Sequence, residues 1–310
     1  MKAFWKKYLH IILVFVIIGL CLLRASSQTQ QIYPDSIIKK RLNTVIYTGA
    51  GLYGATLGVL YFAWYKDNTL SSFHWYNDNN AWLQVDKVGH VTTAYVISNY
   101  AFWSLRWAGV NNNKSALYGG LMGWSALTVI ELLDSFSEEW GASPGDLIAN
   151  TAGAAFFTGQ QLLWKEQRIR LKFSYHATQF PQYRPDLLGE TGLQSMLKDY
   201  NGQTYWLSAN ISSFIRKETK FPQWLNVSVG YGATGMIGSF SNPPEWDGKK
   251  MPHFNRTRQY YFSFDVDWTR IKTNSSFLRF VFKAFSFIKV PAPTIEYNKE
   301  DQFVFHLMFF

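Results

Sequence analysis

The chain has 310 residues, of which 47% are hydrophobic, 18% aromatic and 16% charged, with a formal net charge of +9. So apolar a composition excludes wholesale disorder, and the length suffices for one large or two ordinary domains. The single cysteine, Cys21, excludes a disulfide scaffold and a cysteine-zinc site.

Residues 1–27 read as a secretory signal peptide. Lys2, Lys6 and Lys7 precede an almost unbroken apolar run over 9–23, and Ala25 and Ser27 supply a small-x-small cleavage pattern. Cleavage after Ser27 is expected; an uncleaved anchor is the alternative. Leu20 stands where a lipobox needs a small residue before Cys21, so lipidation is not expected there. Lys2, Lys6, Lys7 and Arg24 all leave with this segment, which lowers the charge to +5. Residues 28–165 hold 8 basic and 9 acidic residues, whereas residues 166–310 hold 18 and 12. A secreted chain has little access to nucleic acid, so the basic half points to lipid headgroups or anionic glycans.

The uncharged runs 43–65, 88–105, 115–130 and 147–164 predict about four helices, rich in glycine and aromatics, within a unit over 28–165. Ala50, Gly54 and Gly58 have the small-xxx-small spacing that lets helices approach closely. The first run is long enough to cross a bilayer. A spanning bundle with an outward mature terminus would, however, place Lys39, Lys40 and Arg41 outside. It would also place the loop carrying Glu138 and Glu139 inside, against the usual charge rule. A helical bundle outside the bilayer, with part of its surface against lipid, is therefore expected. Trp64, Trp75, Trp82, Trp103, Trp107, Trp124 and Trp140 lie in this half; core packing is expected of them, with a sugar-stacking surface or an interfacial belt as the alternatives.

Over 166–310 the pattern changes to period two. Ile169, Leu171, Phe173 and Tyr175 alternate with basic and polar residues, as do Leu225, Val227, Val229 and Tyr231, and Tyr260, Phe262, Phe264, Val266 and Trp268. Residues 205–215 and 303–310 alternate more weakly. The fold class expected is α+β: the helical bundle, then an antiparallel β region that is an open sheet or a partial outer-membrane-type barrel. Phe309 and Phe310 fit the latter. One amphipathic helix is expected over 275–290, with Phe277, Phe280, Val281, Phe285 and Ile288 on one face and Arg279 and Lys283 on the other.

One constellation could carry chemistry. Asp86 and His90 are four apart, Glu131 and Asp134 three apart, and Asp146 and Asn150 four apart, so each pair shares a helix face. A catalytic reading uses His90, Asp86 and Glu131 as acid and base; a divalent-metal reading uses His90, Asp134 and Asp146. The structural reading, which leads, is an interhelical polar network of Asp86, Lys87, His90, Glu131, Asp134, Ser143, Asp146 and Asn150. In it Ser143 and Pro144 start a helix, Asp86 caps another, and Lys87 or Arg106 pairs with Glu131 or Asp134. No GxSxG, HExxH or Walker pattern is present. His176, His253 and His306 have no paired ligand spacing and are expected to be structural.

The motif Asp86-Lys87-x-Gly89-His90, Glu131-x-x-Asp134, Ser143-x-x-Asp146-x-x-Ala149-Asn150 resembles the YfiM-like family, catalogued as domain of unknown function 2279. The stretch 198–208 and Gly230-Tyr231-Gly232 are similar to its longer Bacteroidetes-type members. The resemblance covers about residues 60–235 and implies a predicted envelope lipoprotein, a location without an activity. A looser similarity joins the same short motifs to VanZ-like membrane proteins. Together these features lead to the expectation of a non-enzymatic envelope protein, in the outer membrane or periplasm, with a membrane or outer-membrane protein partner. The alternatives are a metal-assisted or acid–base hydrolase or transferase acting on lipid or cell-wall glycan, and a glycan-binding module.

Overall fold

The computed structural model describes residues 33–34, 36–62, 69–215 and 221–310. The signal segment, Cys21 and Trp64 lie outside the described residues. The fold is α+β, with the main helices first and an antiparallel sheet of six strands after them.

Helix α1 spans Lys39–Leu60 and buries no residue. It is held at its start by Ile38 N–H donating to Ala108 O at 2.9 Å and by the Arg41 guanidinium over the Trp107 ring. Its small-residue stripe does not make the expected close contact. A Cβ added at Gly49, Gly51, Gly54 or Gly58 would meet nothing within 4 Å. The close approach occurs instead among α2 (Val85–Trp107), α3 (Asn112–Asp134) and α4 (Pro144–Trp164). There a Cβ at Gly123 would stand 2.4 Å from Ala94 O, and one at Gly153 2.1 Å from Val91 O. Only hydrogen fits at these contacts, so α3 and α4 both pack on the backbone of α2.

The core of this unit is Tyr95, Phe102, Ala116 and Phe157, and Leu171 from the first strand joins it. Of the described tryptophans in the helical half, Trp103 and Trp82 pack against the core clusters while remaining partly exposed, as core packing predicts, whereas Trp75 is 60% exposed and departs from it. The outer face of α3 leaves Leu117, Leu121 and Leu132 exposed. By length and composition α3 could cross a membrane.

The strands are β1 (Ile169–Tyr175), β2 (Gln203–Asn210), β3 (Leu225–Thr234), β6 (Thr257–Val266), β7 (Ala292–Asn298) and β8 (Gln302–Phe309), paired antiparallel in that order and not closed. A small hairpin, β4 (Glu245–Trp246) and β5 (Lys249–Lys250), is inserted before β6. Short helices α5 (Pro185–Leu188) and α6 (Gly192–Lys198) lie between β1 and β2. Two strands are shorter than the alternation suggests. Asn210 ends β2 by accepting from Ser213 N–H at 3.1 Å, and Asp267 ends β6 by accepting from Thr269 N–H at 3.0 Å. These Asx turns compete with the ladder.

The amphipathic helix α7 covers only Ser276–Ala284. Beyond it, Phe287 O accepts from Phe173 N–H and Lys289 N–H donates to Phe173 O, so this segment pairs with the free edge of β1. Edge pairing takes over from the helix because β1 would otherwise leave its backbone groups unsatisfied.

Candidate functional site

The acidic end of the three-helix unit gathers most of the predicted constellation. Ser143 caps α4, its hydroxyl accepting from Asp146 N–H at 3.1 Å, and Pro144 takes the first helical position. Asp86 and Lys87 lie in the first turn of α2 and His90 one turn on. Asp86 does not cap that helix: the cap position is Gln84, in a left-handed conformation with no side-chain cap bond. Instead its carboxylate faces inward, accepting from Tyr200 O–H at 2.6 Å and Lys87 Nζ at 3.1 Å.

Lys87 is the hub. Its ammonium lies 2.7 Å from Asp78, 2.8 Å from Asp146 and 3.1 Å from Asp86. The expected pairing of Lys87 or Arg106 with Glu131 is replaced. Arg106 sits at the far end of α2 and donates to Val110 O, while Glu131 Oε2 accepts from Ser143 N–H at 3.2 Å. His90 occupies the centre. Its Nδ1–H donates to Asn150 Oδ1 at 3.0 Å, and Glu131 Oε1 lies 3.8 Å away. Its Nε2 stands 3.9 Å from Asp86 Oδ1 and 3.8 Å from Asp146 Oδ1. Asp134, at the end of α3, acts on Glu131 by charge but is not one of the three residues whose ligand atoms lie within 4.8 Å of one another; those are Asp86, His90 and Asp146.

The electrostatics follow from burial. Glu131 is pushed up to about 8 by desolvation, with Asp146 and Asp134 adding to the rise against His90. Asp146 is pushed up to about 6 by burial and by Asp86, against His90 and Lys87. Burial also acts to raise Asp86, but His90, Lys87 and the Tyr200 hydroxyl outweigh it and hold it below the usual range. His90 is raised, because Asp86, Asp146 and Glu131 outweigh its own desolvation. The cluster therefore holds protons at some acids and refuses them at another, the separation that acid–base chemistry requires. The same separation arises in any buried ionic network.

Two contributors escaped the sequence reading. Asp78 comes from the loop before α2, accepting from Ser143 Oγ at 2.5 Å. Tyr200 comes from the stretch 198–208, whose family likeness was its only signal. That stretch clasps the two halves. Asp199 accepts from Asn201 Nδ2 at 2.7 Å, Asn201 bonds Met236 in both directions, and Tyr205 lies against Gly89.

The sheet presents a second feature, an inverted polarity. The pairing register aligns residues into rows across all six strands. Phe173, Tyr205, Tyr231, Tyr260, Tyr297 and Phe303 form one row, and Leu171, Leu207, Val229, Phe262, Ile295 and Phe305 another. On the opposite face run Arg170, Ser208, Ser228, Ser263, Thr294 and His306. The polar face is the interior. Lys172 and Asp265 pair at 2.7 Å there with no exposure, and Arg170 binds Asp267. Helix α2 covers part of the apolar face at β1 and β2. On β8, Phe303, Phe305 and Leu307 are 75%, 66% and 73% exposed. Among the histidines, His306 Nε2–H donates to Glu296 Oε2 at 2.7 Å.

Residues 74–160 match the family described as "Predicted periplasmic lipoprotein (DUF2279)". The match covers the loop that carries Asp78 and the whole of α2 and α3, and most of α4; the sheet lies outside it. A family so described agrees with a location in the cell envelope rather than the cytoplasm. No curated protein and no solved structure matches the chain.

Proposed function

We propose that this envelope protein is a structural or interaction element of the outer membrane, seated in lipid through its sheet, with the three-helix unit standing in the periplasm. The observation that carries the reading is the inverted sheet. In water, a sheet with one apolar face turns that face to the core. Here the interior holds Lys172, Asp265, Arg170 and Asp267 beside a small aromatic cluster of Trp206, Tyr261 and Phe309, while the outer face shows phenylalanine, tyrosine, isoleucine and leucine. That is the alternation of strands that meet lipid, with an aromatic row at one level.

The magnitudes favour contact with lipid. Leu207, Val229, Tyr260, Phe262, Phe264, Ile295, Tyr297, Phe303, Phe305 and Leu307 are all exposed. Each would contribute on the order of 1 kcal/mol on leaving water. Exposed Phe277, Leu278 and Phe285 at α7 extend the same apolar surface, and the basic excess of this half suits anionic headgroups. An outer-membrane protein docked on this face would be the corresponding partner.

The test is fractionation of the cell envelope by density, followed by a carbonate wash. The expected result is carbonate-resistant protein in the outer membrane, lost in the pair Phe262→Lys and Phe305→Lys. A lysine on a lipid-facing strand costs about 2–4 kcal/mol at mid-depth. Wild-type protein freed by carbonate would refute lipid seating, and protein in the inner membrane would refute the outer-membrane assignment.

A further inference from the structure

We propose that Asp86, His90 and Asp146 bind a divalent transition-metal ion at the acidic end of the three-helix unit. The inference stands apart from the seating of the sheet, since it concerns the other half of the chain.

The first argument is geometric. His90 Nδ1 is engaged by Asn150, so Nε2 is the ring nitrogen turned between the two carboxylates, where a cation would take the place of its proton. Nε2 lies 3.9 Å from Asp86 Oδ1 and 3.8 Å from Asp146 Oδ1, almost equidistant and too far to hydrogen-bond to either. A histidine serving only as counter-ion would close on one of them. Two metal–ligand bonds of about 2.1 Å at a tetrahedral angle place their donors about 3.4 Å apart. All three ligand atoms lie within 4.8 Å of one another, so they would draw together to share one ion.

The second argument is an unanswered polar atom. Asp146 is 4% exposed, and its Oδ1 is buried with no hydrogen-bond partner, while Oδ2 is held by Lys87. The orphan oxygen is the one that faces His90. Buried carboxylate oxygens are rarely left so, because the loss is large. The third argument is charge. Asp78, Asp86 and Asp146 converge on one lysine and one histidine, an excess of acid that a divalent cation would offset. Asn150 would fix the tautomer and ring orientation of the ligating histidine, as outer-shell partners do at metal sites. One imidazole with two carboxylates suits zinc or manganese and leaves coordination positions open.

The experiment uses the full chain purified after signal removal and treated with chelator, then titrated calorimetrically with Zn2+ and with Mn2+. One equivalent of one of them should bind to wild type. X-ray absorption of the loaded protein should show one nitrogen and two or more oxygens at about 2.0–2.2 Å. Binding should disappear in Asp146→Asn and His90→Ala, weaken about 10–100-fold in Asn150→Ala, and persist in Asp134→Asn, each checked for folding by circular dichroism. If wild type binds neither ion, or if binding survives in folded His90→Ala or Asp146→Asn, the proposal fails.

Discussion

Replacing Glu131 by glutamine should remove a pH dependence built into the helical unit. Glu131 is 3% exposed and its carboxyl is pushed up from an ordinary 4.5 to about 8, first by burial and then by Asp146. In the unfolded chain it ionises near its ordinary value. Between the two values the unfolded state releases a proton that the folded state keeps, so stability is full below about pH 4.5 and is lost as pH rises towards 8. Each unit of that interval corresponds to about 1.4 kcal/mol, which sets a ceiling of about 4 kcal/mol between pH 5 and pH 8. Relaxation and water entry should reduce it to roughly 1–3 kcal/mol. Glutamine keeps the shape and the acceptor for Ser143 N–H but cannot ionise. Urea denaturation in mild detergent with chelator present, followed by circular dichroism, should give a variant whose stability relative to wild type rises from pH 5 to pH 8. A wild-type minus variant difference that is flat across this range, or of opposite sign, would refute the account of Glu131 as a buried neutral acid.

Other substitutions probe the packing. Gly153→Ala forces a Cβ to within 2.1 Å of Val91 O and should lower stability by at least about 2 kcal/mol, whereas Gly159→Ala, with nothing within 4 Å, should be neutral or stabilising by up to about 1 kcal/mol; thermal melts separate the two. Lys172→Met strands Asp265 in the interior of the sheet and should cost about 3–5 kcal/mol, seen as faster proteolysis of the β half. Tyr200→Phe removes the O–H donated to Asp86 and should cost about 1–3 kcal/mol by urea melt; an unchanged midpoint would mean the clasp between the halves contributes nothing.

The cluster was legible in the sequence as far as local spacing reaches. Asp86 with His90, and Asp146 with Asn150, share faces because a helix repeats every few residues, and Ser143-Pro144 announces its own helix start. Which carboxylate meets which cation was not legible. Lys87 binds Asp78 and Asp146 rather than Glu131, because three chain segments converge on one ammonium. The glycines show the same division. The stripe on α1 has the spacing of a helix contact and makes none, while Gly123 and Gly153 make it, since only the neighbouring helix decides whether a missing Cβ is needed.

Alternation by itself determined that the second half is β and that each strand has one polar and one apolar face. It also determined the switch from helix to strand near residue 166, because helical and extended backbones repeat at different periods. Which face turns inward was decided by the tertiary structure alone. A strand repeats every two residues whether its apolar side meets a core or a bilayer. Only the curl of the six-stranded sheet, which closes Lys172 onto Asp265 and leaves Phe305 outside, separates the two.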